Sequence, residues 1–156
     1  MTTKAAFNAE EWTVVTTAPA LAALWVAAAD KGGSVRESIA LSRAYAQERA
    51  EDHSPLLKEI VATAPTLGPG TNIRNAEDLR REAPPALSQA VATLERLAHD
   101  SEVVEYKRFV YRVAETVARA HREGGVLGIG GTQISAAEQA VLDEITAIFD
   151  RVHYTG

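Results

Sequence analysis

Between residues 102 and 123 the apolar positions Val103, Tyr106, Val110, Val113, Val117 and Ala120 step by 3, 4, 3, 4 and 3. That spacing holds one side of an α-helix against a core for about six turns. A stripe of this length needs partner helices to cover it. Nowhere do Val, Ile and Thr alternate with polar residues between tight turns, so strands find no support. Alanine supplies much of the 46% hydrophobic content and aromatics only 6%, and small side chains let helices approach closely. The chain reads as all-α, a compact bundle of six to eight helices. Its 156 residues suit a single domain, 1–156, with a core that needs no staples.

Punctuation residues place the other helices. Asn8 before Glu10 and Glu11 reads as an N-cap with acid in the first turn. Pro19 either kinks that helix or opens a second one running to Lys31, and Gly32-Gly33 ends it. Ser34-Val-Arg-Glu37 is a capping box, starting a helix that runs to about Ala50. Ser54-Pro55 starts another, which Pro65 closes. Residues 65–75, with two prolines and two glycines, read as a surface loop or a divide between halves. Asn75 caps a short helix, and Pro84-Pro85 opens a separate one carrying Leu87, Val91, Leu94 and Ala98. The long helix stops at Gly124-Gly125. Ser135-Ala-Ala-Glu138 begins the last helix, which buries Val141, Ile145, Ile148 and Val152.

Charge and composition exclude several functions. With 16 basic against 21 acidic residues the net charge is −5, and no Lys/Arg stripe interleaves with aromatics, so neither nucleic acid nor an anionic membrane is expected as partner. The absence of cysteine removes disulfides, thiolate metal sites and a cysteine nucleophile. The first residues lack a basic stretch followed by an apolar one, and the most apolar run, 18–29, is shorter than the roughly 20 residues of a membrane span. A cytoplasmic protein is expected.

The same sequence device occurs twice: a helix stopped at Gly-Gly, then a Ser-x-x-Glu box, at Ser34 and at Ser135. If this echo is a duplication, two helical hairpins, about 8–64 and 75–152, pack around a pseudo-two-fold axis. The stretches VAAADKGGSVRESIAL (26–41) and, more loosely, VARAHREGGVLGIGGTQISAAEQAVLDEI (117–145) resemble the TerB-like helical family, associated with tellurite resistance and bacterial stress responses. The resemblance implies a non-enzymatic module in which Asp30, Glu37, Glu123 and Glu138 gather around a divalent cation, Ca or Mg. Hard cations take several oxygen ligands, and glycines leave backbone carbonyls open to them. On the residues alone a plainer account stands beside this one. Glu37 and Glu138 serve as capping partners, and Asp30 and Glu123 are solvated residues at helix ends.

Other motifs carry less. GGVLGIGGT (124–132) lacks the Gly-Lys-Ser/Thr ending of a phosphate loop and any preceding strand, so it reads as a connector. Its apolar tip, Val126 to Ile129, offers a surface for a protein partner or for self-association. His53, His99, His121 and His153 show no ligand spacing, and no Gly-x-Ser-x-Gly elbow anchors a hydrolase triad. Trp12, Trp25, Tyr106, Phe109 and Tyr111 read as core rather than as a pocket, with Phe109 or Tyr111, off the main stripe, exposed. Two functions follow: a TerB-like module binding a divalent cation and a protein partner, or a metal-free helical interaction domain.

Overall fold

The computed structural model describes residues 1–29, 35–67, 72–123 and 134–153; the side chains of 35–38, 121–123, 152 and 153 lie outside the description. A short 3-10 turn at Lys4–Ala6 precedes six helices: α1 (Ala9–Ala28), α2 (Val35–Arg49), α3 (Pro55–Ala62), α4 (Ala76–Leu97), α5 (Asp100–Glu123) and α6 (Ala136–His153). Among the described residues all regular structure is helical, and the chain is an all-α bundle.

Helix α1 is the centre of the assembly. It packs chiefly on α4 and α5 and also on α6, while α2 lies on α5, and α3 fits against α2 and α5. Ala18, Ala22, Ala23 and Ala27 of α1 are buried alongside Trp12, Val15, Leu21, Trp25 and Val26. By length and composition alone α1 could cross a membrane, since it extends the 18–29 run toward the N-terminus, but two thirds of its apolar stretch is buried inside this fold. The α5 stripe is buried as its spacing requires, from Val103 to Val117, with Ala120 at its margin. Phe109 is also fully buried, edge-on to Tyr45 at 5.5 Å, and Tyr111 is half-buried, so neither is the exposed aromatic that the stripe suggested.

The prolines depart from the sequence expectation. Helix α1 is continuous through Pro19, and α4 is one helix through Pro84 and Pro85 rather than two. A proline costs a helix its own N–H and leaves the carbonyl four residues earlier without a partner. In α4 those carbonyls belong to Arg80 and Arg81, both exposed, where water can answer them. The buried stripe Leu79, Ala83, Leu87, Val91 and Leu94 meanwhile runs unbroken past the prolines. In α1 the orphan is the carbonyl of Val15, deep in the core. The hydroxyl of Tyr106, on α5, donates to it at 2.7 Å. A side chain thus supplies the hydrogen bond that Pro19 cannot.

Helix starts follow the cap chemistry. Asn8 and Glu11 form a capping box, Ser54 accepts from Leu57 N with Pro55 in the first turn, and Asn75 accepts from Asp78 N. Ser135 and Glu138 form the expected box on α6, with bonds of 3.1 and 3.0 Å. Ser34, Gly32 and Gly33 lie outside the described residues.

Candidate functional site

Of the four carboxylates implied by the TerB-like resemblance, Asp30 lies outside the described residues, as do the side chains of Glu37 on α2 and Glu123 on α5. The glycine-rich segment 124–133 also lies outside them. Glu138 is described, and its position is unusual. Among the described residues, three helices start with a glutamate that reaches back to a cap amide: Glu11, Glu102 and Glu138. Glu11 gives its other oxygen to Arg96 at 2.8 Å. Glu102 accepts from His99 N, Thr2 N and the Thr2 hydroxyl, so both its oxygens are engaged. Burial pushes the Glu102 carboxyl up, but the bonds from Thr2 and His99 outweigh it and hold its pKa below the ordinary value. Glu138, fully buried, uses Oε1 on Ser135 N and leaves Oε2 without a hydrogen-bond partner.

A second constellation lies where the α2–α3 connection meets α5. His53, in that connection, has its ring between two carboxylates: Nε2 is 3.0 Å from Glu48 Oε2, and Nδ1 is 3.5 Å from Glu105 Oε1. The His53 side chain is only 7% exposed, and its Nε2 has no aligned hydrogen bond despite the short distance. Glu48 is fixed from the other side by Arg112, which donates to its two oxygens at 2.7 and 2.9 Å. Such a fork leaves the carboxylate little freedom. Glu105 is fixed by Ser54 N at 2.9 Å. The Glu48 bonds raise the Arg112 pKa above its usual value; burial opposes this, and the fields of Glu48, Glu51 and Glu105 add to it.

This cluster forms one side of an open cleft of about 780 Å³, lined by polar and charged side chains alone. Its lining includes Glu48, Glu51, Asp52, Glu105 and Glu115 with Arg108 and Arg112; of the acids, Glu48 pairs with Arg112, Asp52 with Lys58 at 3.5 Å and Glu115 with Arg119 at 3.7 Å. Because Glu48 and Glu105 sit at opposite ring nitrogens of His53, the three groups do not converge on one point. Among the described residues no three His, Asp or Glu side chains gather in a way that would hold a metal ion. Only a doubly protonated ring could donate to both carboxylates at once. Ser54, the nearest hydroxyl in sequence, is occupied as the cap of α3 and is not set against the imidazole as a nucleophile would be.

Histidine spacing gave no hint of this cluster, since the partners of His53 come from two other elements, α2 and α5. A signal was nonetheless present on α5. Ser101, Glu105, Arg108, Arg112 and Glu115 step by 4, 3, 4 and 3, a polar stripe beside the apolar one, and all five line the cleft. Compared with known proteins, the chain matches no family model, no curated protein and no solved structure.

Proposed function

We propose that the chain is a non-enzymatic, cytoplasmic helical binding module whose working site is the polar cleft between the α2–α3 connection and α5. The observation that carries this reading is His53: a buried imidazole held between the carboxylates of Glu48 and Glu105 at the side of an open cleft. Buried ionisable groups are costly to keep, and clusters of them at a cleft concentrate at functional sites. The non-enzymatic part is supported by the way the reactive groups are engaged: Glu48 by Arg112, Glu105 by Ser54 N, and Ser54 Oγ by Leu57 N. The test is a thermal-shift screen of small charged metabolites on the wild type and on Glu51→Lys, a rim substitution that reverses a cleft charge. A ligand bound in the cleft stabilises the wild type and loses its effect in the variant. Stabilisers that act equally on both proteins would place binding elsewhere.

A divalent cation at the start of α6, implied by the TerB-like resemblance, is the second reading, and the bare Oε2 of buried Glu138 favours it. A carboxylate oxygen suits the hard cations Ca and Mg, so this residue fits the implied group. Metal-stripped protein should then melt higher as Ca or Mg is added, because a ligand of the folded state alone raises its stability. The rise should disappear in Glu138→Gln. No rise with either ion would leave Glu138 as a helix cap.

A further inference from the structure

We propose that His53 is a pH-sensitive latch, holding the α2–α3 connection against α5 while its ring is charged and releasing it as the ring loses its proton. The buried ring stands between carboxylates of two different helices, Glu48 of α2 at Nε2 and Glu105 of α5 at Nδ1. The 3.0 Å contact at Nε2 is not aligned as a hydrogen bond, and the 3.5 Å contact at Nδ1 is long for one. Both contacts therefore draw their strength from charge, which a neutral ring does not carry.

A neutral imidazole keeps one N–H and presents a lone pair at its other nitrogen. With the proton on Nδ1, the lone pair of Nε2 faces Glu48 Oε2; with it on Nε2, the lone pair of Nδ1 faces Glu105 Oε1. Either tautomer sets a lone pair against an acid oxygen, and neither carboxylate is free to turn away. Arg112 holds both oxygens of Glu48, and Ser54 N donates to the same Glu105 oxygen that faces Nδ1. The other charges around the ring come from its own connection, from α3 and from α5, and they offset one another. Asp52 meets Lys58 at 3.5 Å, Glu115 meets Arg119 at 3.7 Å, and Glu51 and Arg108 line the same cleft with opposite signs. Arg112 likewise offsets Glu48. Glu105 has no Lys or Arg ion pair among the described residues, so it is the acid that most needs the charged ring.

What the latch holds is short. Ala50, Glu51 and Asp52 are exposed, so the connection has no apolar anchor before His53. Tyr45 on α2 and Leu56, Leu57 and Ile60 on α3 are buried on either side of it and keep both helices packed. Segments with few buried contacts are the ones that open locally. Loss of the proton thus frees residues 50–54 and leaves the bundle folded. Histidine ordinarily changes charge between about pH 5 and 8. Because the charged ring is the form that is held, the latch is closed on the acid side of that range and opens as pH rises through it. The latch needs no ligand, so it stands whether or not the cleft binds one.

The experiment measures hydrogen exchange of the Ser54 amide by NMR on the full chain from about pH 5 to about pH 8, the histidine range, corrected for the intrinsic pH dependence of exchange. That amide donates to Glu105 and should lose protection about fivefold or more across the range, the effect of one ion pair. The amide of Val110, buried on α5, should keep its protection. Ring nitrogen shifts of His53 should show both nitrogens protonated at the acid end, and that form should disappear over the same pH interval as the Ser54 protection. His53→Gln removes the titrating group, and the pH dependence at Ser54 should vanish. Glu105→Gln keeps an acceptor for Ser54 N but removes the acid that most needs the ring, and should cut the pH dependence by half or more. Ser54 protection that is absent or constant with pH overturns the proposal, as does a ring that is neutral throughout. A pH dependence that survives in His53→Gln belongs to another group and overturns it too.

Discussion

Tyr106 and Pro19 make the most demanding test of how this fold is held. Removing the Tyr106 hydroxyl in Tyr106→Phe changes no shape and deletes one bond, the 2.7 Å donation to Val15 O. Tyr106 is 1% exposed and Val15 fully buried, so water does not replace the bond. The cost has two parts: the net value of a hydrogen bond, about 1 kcal/mol, and the penalty for leaving a buried carbonyl unpaired, about 1–3 kcal/mol in total effect. We expect about 2 kcal/mol, or roughly 4–8 °C in melting temperature for a chain of this size. The sharper measurement is a double-mutant cycle with Pro19→Ala. Alanine restores the N–H that α1 lacks at position 19, and Val15 O regains its helical partner. In that background Tyr106→Phe should cost no more than about 0.5–1 kcal/mol, giving a coupling near 1 kcal/mol or above. Urea unfolding followed by tryptophan fluorescence reports both, because Trp12 and Trp25 flank Pro19 on α1 and are buried. An equal cost in the two backgrounds refutes the replacement of the missing amide by the hydroxyl, and a cost below about 0.5 kcal/mol refutes the bond itself.

Tyr45 should respond in the opposite sense: its hydroxyl is buried without a partner, and burial raises its pKa despite Arg49 nearby, so Tyr45→Phe should stabilise the protein by about 1 kcal/mol in the same urea assay. Glu102, whose pKa is lowered in the folded state, contributes stability that is present above its unfolded value of about 4.3 and is lost as pH falls through the folded value. Glu102→Gln should therefore cost about 1–2 kcal/mol at neutral pH, and the gap from wild type should close in acid melts below about pH 4. Ser135→Ala removes the acceptor for Glu138 N and should cost about 1 kcal/mol by thermal unfolding, with the helix content of the folded state unchanged.

What could be seen in the sequence was the part set by local chemistry. Caps at Asn8, Ser54, Asn75 and Ser135, and the apolar stripes of α4 and α5, depend on residues within one or two turns of each other and appear where the spacing places them. Of the α6 stripe, Ile145 and Ile148 are buried, Val141 is half-buried, and the side chain of Val152 lies outside the described residues. The prolines misled because their effect depends on surroundings that spacing does not record. Pro84 and Pro85 are tolerated since the carbonyls they orphan are on exposed residues, and Pro19 is tolerated because a tyrosine 87 positions away in the chain points at Val15. The contact between the two expected halves is extensive, with α1 lying mainly on α4 and α5.

The cleft was hidden for a related reason. His53 stands in a short connection, and an acidic run followed by a serine-proline helix start looks like ordinary surface punctuation. Its meaning comes from Glu105 and Arg112, more than fifty residues away, and from the burial that closes over the ring. Glu138 shows the converse. Its place in a capping box was plain from Ser-x-x-Glu, yet the sequence treats it as the equal of Glu11. The difference is that Arg96 reaches the spare oxygen of Glu11, while nothing described reaches that of Glu138. One motif thus yields a solvated cap in one helix and a buried, half-satisfied carboxylate in another. Function in this fold is therefore to be sought where a local motif and its distant surroundings disagree, at His53 and at Glu138, before it is sought in the motifs themselves.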